Sequence, residues 1–318
     1  MMKLFLTICL LHGLMISSVE GKMSCTQDKD HIVITNNGHH VLTYHKTARA
    51  PQGVDPKYAR SGFIHPISTP TGRILTDDYP VPHHSHQHGL FFAWRKATFE
   101  GEELNFWEPG NASIRHEKVL NIFNGENTAG FEVELSHRTE TKPILREIWT
   151  VMVDGRTGFI DMKSAQSCVT RSPITLEKFH YGGMAIRGSR QWFEDAHTTA
   201  GKGATKDEFI EACKMLTNEG LTQANGNHSR PTWVSMAGRI DSAPVSITLI
   251  PHPTNFRYPQ HVRLHPKMPY FCFIPTVEKS FQIKPGQTWT SRYRIIVKDE
   301  EPKPEILNAI QSAFAAEE

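Results

Sequence analysis

The chain has 318 residues, with 35 Lys and Arg against 33 Asp and Glu, so its formal net charge is only +2. Because nucleic-acid binding needs clustered basic surface, this balance argues against a nucleic-acid partner. Hydrophobic residues make up 38% and charged residues 21%, as in ordinary globular proteins rather than disordered ones. After the first twenty positions no apolar run is long enough to cross a bilayer, so we expect no integral membrane segment.

The amino terminus has the pattern of a secretory signal peptide. Lys3 is followed by an apolar stretch and then by small residues that end near Gly21. We therefore expect a signal peptide at 1–21, a single β-sandwich domain over 22–318, and a secreted or periplasmic protein. In an oxidising compartment the four remaining cysteines could pair in three ways. They are Cys25, Cys168, Cys213 and Cys272.

Short alternating segments separated by turn residues dominate the chain. Residues 32–44 form two β-rich runs around the turn sequence Asn36-Asn37-Gly38, which predicts a hairpin. Further strands are predicted at 131–135, 144–153, 159–162, 245–250 and 289–297. Turn residues recur every 10–15 positions or so, and this spacing predicts an all-β sandwich rather than alternating strands and helices.

Two segments have a helical pattern. Residues 206–216 are amphipathic but ambiguous, whereas Pro304-Glu305 opens a clearer helix at the carboxyl end. Its predicted apolar face consists of Ile306, Leu307, Ile310 and Phe314. We therefore expect a large β-sandwich that ends in a short helix.

Charged side chains interrupt one of the predicted strands. Arg146 and Glu147 are adjacent, so on a strand they point to opposite faces. One of them must face the core, where a charge needs a partner. Either residue is therefore a weak candidate for a pocket.

Four of the 18 histidines lie within six positions, at 83, 84, 86 and 88. If the segment is an extended strand, His84, His86 and His88 share one face and can converge on a metal ion or an anionic substrate. Imidazoles titrate near neutrality, so they can also exchange protons. Asp77 and Asp78 lie close enough in sequence to orient one of them. The alternative is a polar loop whose histidines are solvated.

A second candidate segment contains Gly182-Gly183, which would let the backbone approach a ligand closely. Beside the glycines, His180 and Tyr181 can serve as base and acid. Arg187 can hold a carboxylate or stabilise an enolate. The alternative is a strand edge with a bulge, where the glycines serve geometry alone.

A third candidate segment begins with two prolines, Pro251 and Pro253, which hold the loop extended. His252, Asn255 and Arg257 follow in the same loop and are natural donors to sugar hydroxyls or to a carboxylate. The alternative is a simple surface loop.

Several blocks of sequence resemble the bacterial family filed as "methane oxygenase PmoA" proteins, over roughly residues 30 to 298. The opening blocks are Gly62-Phe-Ile-His65-Pro66, Thr69-Pro-Thr-Gly72-Arg73, Thr76-Asp77-Asp78-Tyr-Pro80, His83-His84 and His88 through Trp94. The later blocks, in the same order as in that family, are Tyr181–Arg187, Trp233–Gly238 and Pro251–Asn255.

This resemblance implies a supersandwich similar to the galactose-mutarotase superfamily, and it does not imply methane oxidation. In mutarotase-like sandwiches, histidines and a carboxylate move protons around a bound sugar ring. Carried over by role, the acid–base candidates are His84, His86, His88, His180 and His252. Arg73 and Arg187 become candidates to bind ligand carboxylates or ring oxygens.

These patterns together favour a secreted carbohydrate-active enzyme that uses His and Tyr acid–base chemistry for elimination, dehydration or epimerisation. No convincing carboxylate pair for a glycosidase is present. The catalytic candidates are His84, His86, His88, His180, Tyr181 and His252, and the substrate-binding candidates are Arg73, Asp77, Asp78, Arg187, Asn255 and Arg257. The expected partner is a carbohydrate, and no cofactor is expected.

Two other functions remain open. The first is a metal-dependent oxidoreductase in which His84, His86 and His88 bind a metal ion and leave an open position. The second is a carbohydrate-binding protein without catalytic activity. The oligomeric state is left open.

Overall fold

The computed structural model describes residues 22–80, 84–108, 110–193 and 212–317. The predicted signal peptide at 1–21 lies outside the described residues. In the described parts, strands predominate and form two eight-stranded sheets and one four-stranded sheet. The all-β sandwich and the short carboxyl-terminal helix expected from the sequence are confirmed. No helix in these parts is both long and apolar enough to span a bilayer.

The strands and helices have the following bounds. The strands are β1 (Met23–Gln27), β2 (His31–Asn36), β3 (His39–His45), β4 (Phe63–Ile67), β5 (Leu90–Ala93), β6 (Ala97–Phe99), β7 (Glu102–Leu104), β8 (Ala112–Asn124), β9 (Thr128–Thr139), β10 (Pro143–Asp154), β11 (Ile160–Cys168), β12 (Ile174–Leu176), β13 (Gly183–Arg187), β14 (Cys213–Thr217), β15 (Val234–Ile240), β16 (Ala243–Pro251), β17 (His261–Leu264), β18 (Tyr270–Ile274), β19 (Phe281–Ile283) and β20 (Thr288–Lys298). A 3₁₀ turn covers Pro56–Tyr58, and the carboxyl-terminal helix α1 covers Pro304–Ala315.

The two large sheets are antiparallel and share one apolar core. The first has the order β1-β2-β3-β4-β5-β13-β18-β17, and the second β14-β15-β16-β20-β11-β10-β9-β8. The predicted hairpin is present as β2 and β3, paired across the Asn37-Gly38 turn. Strand β10 alternates as predicted, with Glu147 and Trp149 among its buried positions. The short strands β19-β12-β6-β7 form the small sheet.

Helix α1 covers part of the second sheet. Leu307 and Phe314 are buried against Trp233, Ile250 and Ile296, which form a second apolar cluster. The predicted apolar face is therefore correct for Leu307, Ile310 and Phe314, the three residues that reach this cluster. It is wrong for Ile306, which is 46% exposed because it faces away from the sheet.

Two other expectations need correction. Of the ambiguous helical segment, residues 206–211 lie outside the described chain, and Cys213–Thr217 is strand β14 because it pairs with β15. No two of the four cysteines at 25, 168, 213 and 272 are bonded to each other, and each is a buried free thiol. Burial raises the pKa of Cys25 to about 12 and that of Cys272 to about 11.

Gly183 begins the strand that continues the Tyr181 segment, and its backbone needs glycine. Its φ is +88°, and a Cβ there would lie 2.2 Å from the Phe273 carbonyl oxygen. Gly183→Ala should therefore lower the free energy of unfolding by more than the roughly 1–3 kcal/mol of left-handed strain alone. Gly72→Ala is the matched control, since φ is +89° there but the space is open. If urea denaturation showed that both variants lose the same free energy of unfolding, a clash of the added Cβ at residue 183 would not explain the loss.

Candidate functional site

A cavity of about 620 Å³ opens at one end of the sandwich, where several loops meet. The loop between β3 and β4, the segment before β5, the segment after β7 and the start of β8 all contribute to it. We call it the histidine cavity. Its principal lining side chains are Lys57, Arg60, His86, His88, Phe106, Trp107, Asn111, Ser113 and Arg115.

His88 is bound to a carboxylate at the wall of this cavity. Its Nδ1 lies 2.6 Å from Asp78 Oδ1, and the His88 side chain is 1% exposed. The ring packs between Phe63, at a centroid distance of 4.5 Å, and the edge of Tyr79, at 4.7 Å. A carboxylate at Nδ1 fixes the tautomer and leaves Nε2 as the nitrogen for a substrate. The hydrogen bond found for this ring among the described residues is the one at Nδ1.

The protonation of this pair suits a base. Burial holds the pKa of His88 well below its usual range, so the imidazole is neutral at neutral pH. Burial also raises the pKa of Asp78 to about 6, although neighbouring histidines, first His65 and then His45, oppose the rise. Above that pH the Asp78 carboxylate accepts the His88 Nδ1 proton, so the two residues form an oriented Asp–His dyad.

Gly89 makes the approach of this segment to the sheet possible. A Cβ at Gly89 would lie 2.3 Å from the Ile64 carbonyl oxygen, so a larger residue would push the segment away from β4. The Gly89 carbonyl also accepts a hydrogen bond of 2.8 Å from the Arg187 backbone N–H. The histidine segment is therefore held to the edges of β4 and β13 by its backbone.

His86 lies in the same cavity beside a carboxylate. Its Nδ1 is 3.8 Å from Glu108 Oε1. Burial, together with the adjacent His84 and His88, lowers the pKa of His86 to about 3. His84 contacts His86 at a centroid distance of 5.5 Å and His265 at 6.2 Å, so it extends this cluster away from His88.

The one-face arrangement of His84, His86 and His88 is wrong because the segment is not a strand. Residues 85 and 86 form a turn, His84 has a φ of +69°, and the next strand, β5, begins only at Leu90. His88 consequently points to Asp78, while His86 points to Glu108. Across the described residues, no three His, Cys, Asp or Glu side chains are placed to hold a metal ion. Metal binding by these histidines stays an untested prediction.

Tyr181 and His180 lie beside this site rather than in the cavity wall. The Tyr181 ring contacts Trp107 at 5.4 Å, and Arg95 Nε donates a 3.0 Å hydrogen bond to its hydroxyl. Arg95 Nη2 in turn lies 3.9 Å from Glu108 Oε2, and Glu108 is the carboxylate beside His86 in space. His180 packs on Tyr181 at 4.8 Å. The first and second candidate segments are therefore brought together.

Three of the predicted substrate-binding residues, Asp77, Arg187 and Arg73, contact other side chains of the protein. Asp77 binds Arg190 at 3.0 Å. Arg187 is fully buried, and its Nη1 donates to Gln87 Oε1 at 3.0 Å. Arg73 pairs with Asp299 at 3.1 Å. Asp77, Arg187 and Arg73 are not among the described residues that line the histidine cavity, so we withdraw them as ligand contacts there.

The third candidate segment does not join the site. His252 Nε2 lies 3.0 Å from the Glu317 carbonyl oxygen and Nδ1 lies 2.7 Å from Thr254 Oγ1, so both ring nitrogens are engaged near α1. Asn255 bonds the backbone of Arg292 in both directions. Arg257 donates to the carbonyls of Pro275, Lys279 and Ser280. These contacts stabilise loops and the carboxyl terminus, and none of the three residues lines the histidine cavity.

A buried polar pair lies behind the cavity. Glu147 and His137 are both 0% exposed, and Glu147 Oε2 lies 2.6 Å from His137 Nε2. Glu147 Oε1 accepts hydrogen bonds from Trp149, Ser164 and Gln166. Burial raises the pKa of Glu147, but these donors, His137 above all, outweigh burial and hold it below the usual range. The expectation that a charge on this strand faces the core with a partner is confirmed.

Several cavity residues were not found by sequence reasoning. Arg60 and Arg115 line the cavity and Glu108 lies beside His86, but they belong to no motif and are brought together by the packing of loops and strand ends.

Acidification should destabilise the protein through three half-buried histidines. The pKa is about 4 for His65 and about 3 for His86 and His265, with burial as the main cause in each case. The unfolded chain, with an ordinary histidine pKa near 6.5, binds more protons below that pH. Stability should fall by at most about 2 kcal/mol per histidine between pH 7.5 and pH 5.

Urea denaturation at a series of pH values measures this slope. The variant His265→Asn, which lacks one of the three imidazoles, should have a shallower slope than the wild type. A free energy of unfolding that is constant from pH 7.5 to pH 5 would show that these histidines protonate freely in the folded protein.

The comparison with protein families identifies the chain as a member of a family of unknown function, DUF6807, whose match covers residues 31–311. The chain belongs to that family. The expected membership of the PmoA family is wrong, since the matching family is DUF6807 and no finding points to PmoA proteins. No curated protein matches the chain.

Among solved structures, the chain is similar in fold to three named proteins at low identity. A heparan sulfate lyase, HepC from Pedobacter heparinus, is 10% identical with a TM-score of 0.43 over 89% of this chain and 36% of that one. A GH36 alpha-galactosidase, AgaB from Geobacillus stearothermophilus, is 10% identical with a TM-score of 0.42 over 87% and 41%. A galactose mutarotase-like protein from Clostridium acetobutylicum is 8% identical with a TM-score of 0.40 over 86% and 94%. The chain thus spans about two fifths or less of the first two proteins.

Proposed function

We propose that this protein is an enzyme that acts on a carbohydrate by acid–base catalysis in the histidine cavity, with His88 as the base. The observation that carries the proposal is that His88 lines a cavity of about 620 Å³ while its Nδ1 lies 2.6 Å from the Asp78 carboxylate. His252, by contrast, has both ring nitrogens engaged by protein groups and does not line this cavity.

The chemistry follows from the dyad. Nε2 of neutral His88 takes a proton from the substrate, and the Asp78 carboxylate stabilises the imidazolium that forms. In an elimination, the carbon–oxygen bond breaks and the imidazolium returns the proton to the leaving oxygen. In an epimerisation, the deprotonated substrate presents the other face of the same carbon before the imidazolium returns the proton, and the centre is inverted. Both routes leave His88 neutral again, so neither consumes a co-reactant.

The cavity walls support a sugar as the substrate. A volume of about 620 Å³ lies within the range of small-molecule sites. Trp107 and Phe106 supply apolar surface on which a sugar ring can stack. Asn111 and Ser113 supply an amide and a hydroxyl that can bond sugar hydroxyls. Aromatic and uncharged polar groups side by side are what a carbohydrate requires.

The test is incubation of the purified protein with a panel of neutral, uronate and sulfated oligosaccharides, followed by mass spectrometry and NMR. Elimination splits a glycosidic bond and leaves an unsaturated sugar, dehydration removes one water, and epimerisation changes the NMR spectrum without changing the mass. The panel is run with and without a chelator, since activity lost with the chelator would favour a metal-dependent reaction. If no oligosaccharide changes under any condition, the proposal fails.

The pH dependence of the rate should follow Asp78. Because its pKa is raised to about 6, Asp78 becomes protonated as the pH falls through that value, and it then no longer stabilises the imidazolium. The rate should therefore rise with pH through about 6. Asp78→Asn should be slow at every pH and lack this step. A wild-type rate that is flat between pH 5 and pH 7 would contradict the assigned role of Asp78.

A further inference from the structure

Positive charge lines the histidine cavity, and the proposed reaction does not use it. Arg60 lies in the wall, while Lys57 and Arg115 are exposed where the cavity opens. Glu140 is the single acidic side chain among the described residues that line the cavity. For a chain with a net charge near zero, this is a local concentration of cations.

Arg60 is the unusual member of this group because it is buried without an ion pair. It is 6% exposed, and within the described chain no carboxylate lies within 4 Å of its guanidinium. Nη2 donates to the Phe92 carbonyl oxygen at 2.8 Å, but Nε is buried and has no hydrogen-bond partner. Burial lowers the pKa of Arg60 to about 10, so it stays charged at neutral pH. A buried cation of this kind is costly unless an anion accompanies it.

The buried carboxylate behind the cavity does not fill that role. Glu147 attracts Arg60 over a longer distance, but its oxygens are already engaged by His137, Trp149, Ser164 and Gln166. Arg60 lines the cavity, so the part of its guanidinium that faces the cavity can meet a ligand.

Arg60 is also held in place by its neighbours, which favours a role in binding. Its guanidinium lies 5.2 Å from the centroid of the Phe91 ring, and its backbone N–H donates to the Tyr79 hydroxyl at 3.1 Å. Tyr79 also packs on His88 at 4.7 Å, so the backbone of Arg60 and the proposed base contact the same aromatic side chain. A preorganised guanidinium loses little entropy when it binds an anion.

We propose that the histidine cavity binds an anionic sugar, whose carboxylate or sulfate group contacts Arg60, with Arg115 and Lys57 attracting the same charge at the mouth. Guanidinium groups bind carboxylates and sulfates through charge-assisted hydrogen bonds. The choice of a sugar as the bearer of the charge rests on the proposed function, whereas the anion site rests on the cations alone.

Isothermal titration calorimetry with three probes tests this site: methyl glucuronide, glucose 6-sulfate and the neutral methyl glucoside. At least one anionic probe should bind about 10-fold or more tightly than the neutral one, as expected for a hydrogen bond to a charged group. If methyl glucuronide binds more tightly than glucose 6-sulfate, the preferred group is a carboxylate, and in the reverse case it is a sulfate. The preference should shrink as the salt concentration rises, because ions screen the exposed Lys57 and Arg115.

Variants assign the preference to particular side chains. Arg60→Gln should abolish it, and Arg60→Lys should restore part of it. If Arg60→Gln does not fold, the exposed Arg115→Gln still provides the test and should weaken anion binding several-fold. Arg146→Gln is the matched control, since Arg146 pairs with Glu134 at 2.7 Å and does not line the cavity. It should bind as the wild type does.

Two results would overturn the anion site. One is equal affinity for all three probes, and the other is unchanged anion binding in both Arg60→Gln and Arg115→Gln. The two proposals can fail separately. Anion binding without conversion of any sugar defeats the enzyme proposal alone, and conversion of neutral and anionic sugars at equal rates defeats the anion site alone.

Discussion

Replacement of His88 by alanine should lower kcat on the carbohydrate substrate by about 10²–10⁴-fold, the usual contribution of a general base. The substitution should change kcat more than KM, because His88 accepts the transferred proton and does not hold the hydroxyls of the bound sugar. Product formation is measured at saturating sugar, with the substrate identified by the oligosaccharide panel.

The control for this variant is His40→Ala. His40 is half-buried, its ring nitrogens bond Ser68 and Thr43 at 2.8 Å each, and it does not line the cavity. It should retain nearly full activity. The thermal melting of both variants is compared, so that a loss of fold is not mistaken for a loss of chemistry. A folded His88→Ala protein with wild-type kcat would remove His88 from the mechanism.

Replacement of Glu147 by alanine should lower the free energy of unfolding by about 3–5 kcal/mol, the cost of breaking a buried charged pair from one side. Glu147 is the common acceptor for His137, Trp149, Ser164 and Gln166, so its removal leaves four buried donors without a partner. Urea denaturation, monitored by tryptophan fluorescence, measures the change. The dependence of the free energy of unfolding on urea concentration is compared between the variant and the wild type.

A surface pair provides the comparison. Lys142 lies 2.8 Å from Glu100, and both side chains are about half exposed at 47% and 48%. Lys142→Ala should unfold close to the wild-type midpoint, because water competes for exposed charges. If Glu147→Ala were as stable as Lys142→Ala, the buried network would not contribute to the fold as described.

Much of the fold was predictable because its signals are local. The Asn-Gly turn of the β2–β3 hairpin and the alternation along β10 depend on neighbouring residues only, and both are present as predicted. Strand β14 was missed because its pairing with β15 overrides a sequence that also suits a helix. Local pattern thus predicted elements well wherever no distant partner decided between two structures.

The site was less predictable because distant contacts decide which candidate side chains meet. The density of histidines located the segment of His86 and His88, but their separate partners arise from a turn that the one-face interpretation did not include. His252 has the same chemistry, yet it binds the backbone of Glu317, 65 residues further along the chain. Arg60 carries no motif at all, and only the packing of three loops shows that it is buried at a cavity wall.

The most direct test of the account is a crystal structure of the His88→Ala variant with the sugar that the wild-type protein converts. The account predicts sugar density in the histidine cavity, with a ring against Trp107, the reacting carbon beside the position vacated by the imidazole, and any negative group at Arg60. Sugar bound elsewhere on the sandwich, with this cavity empty at saturating ligand, would contradict it.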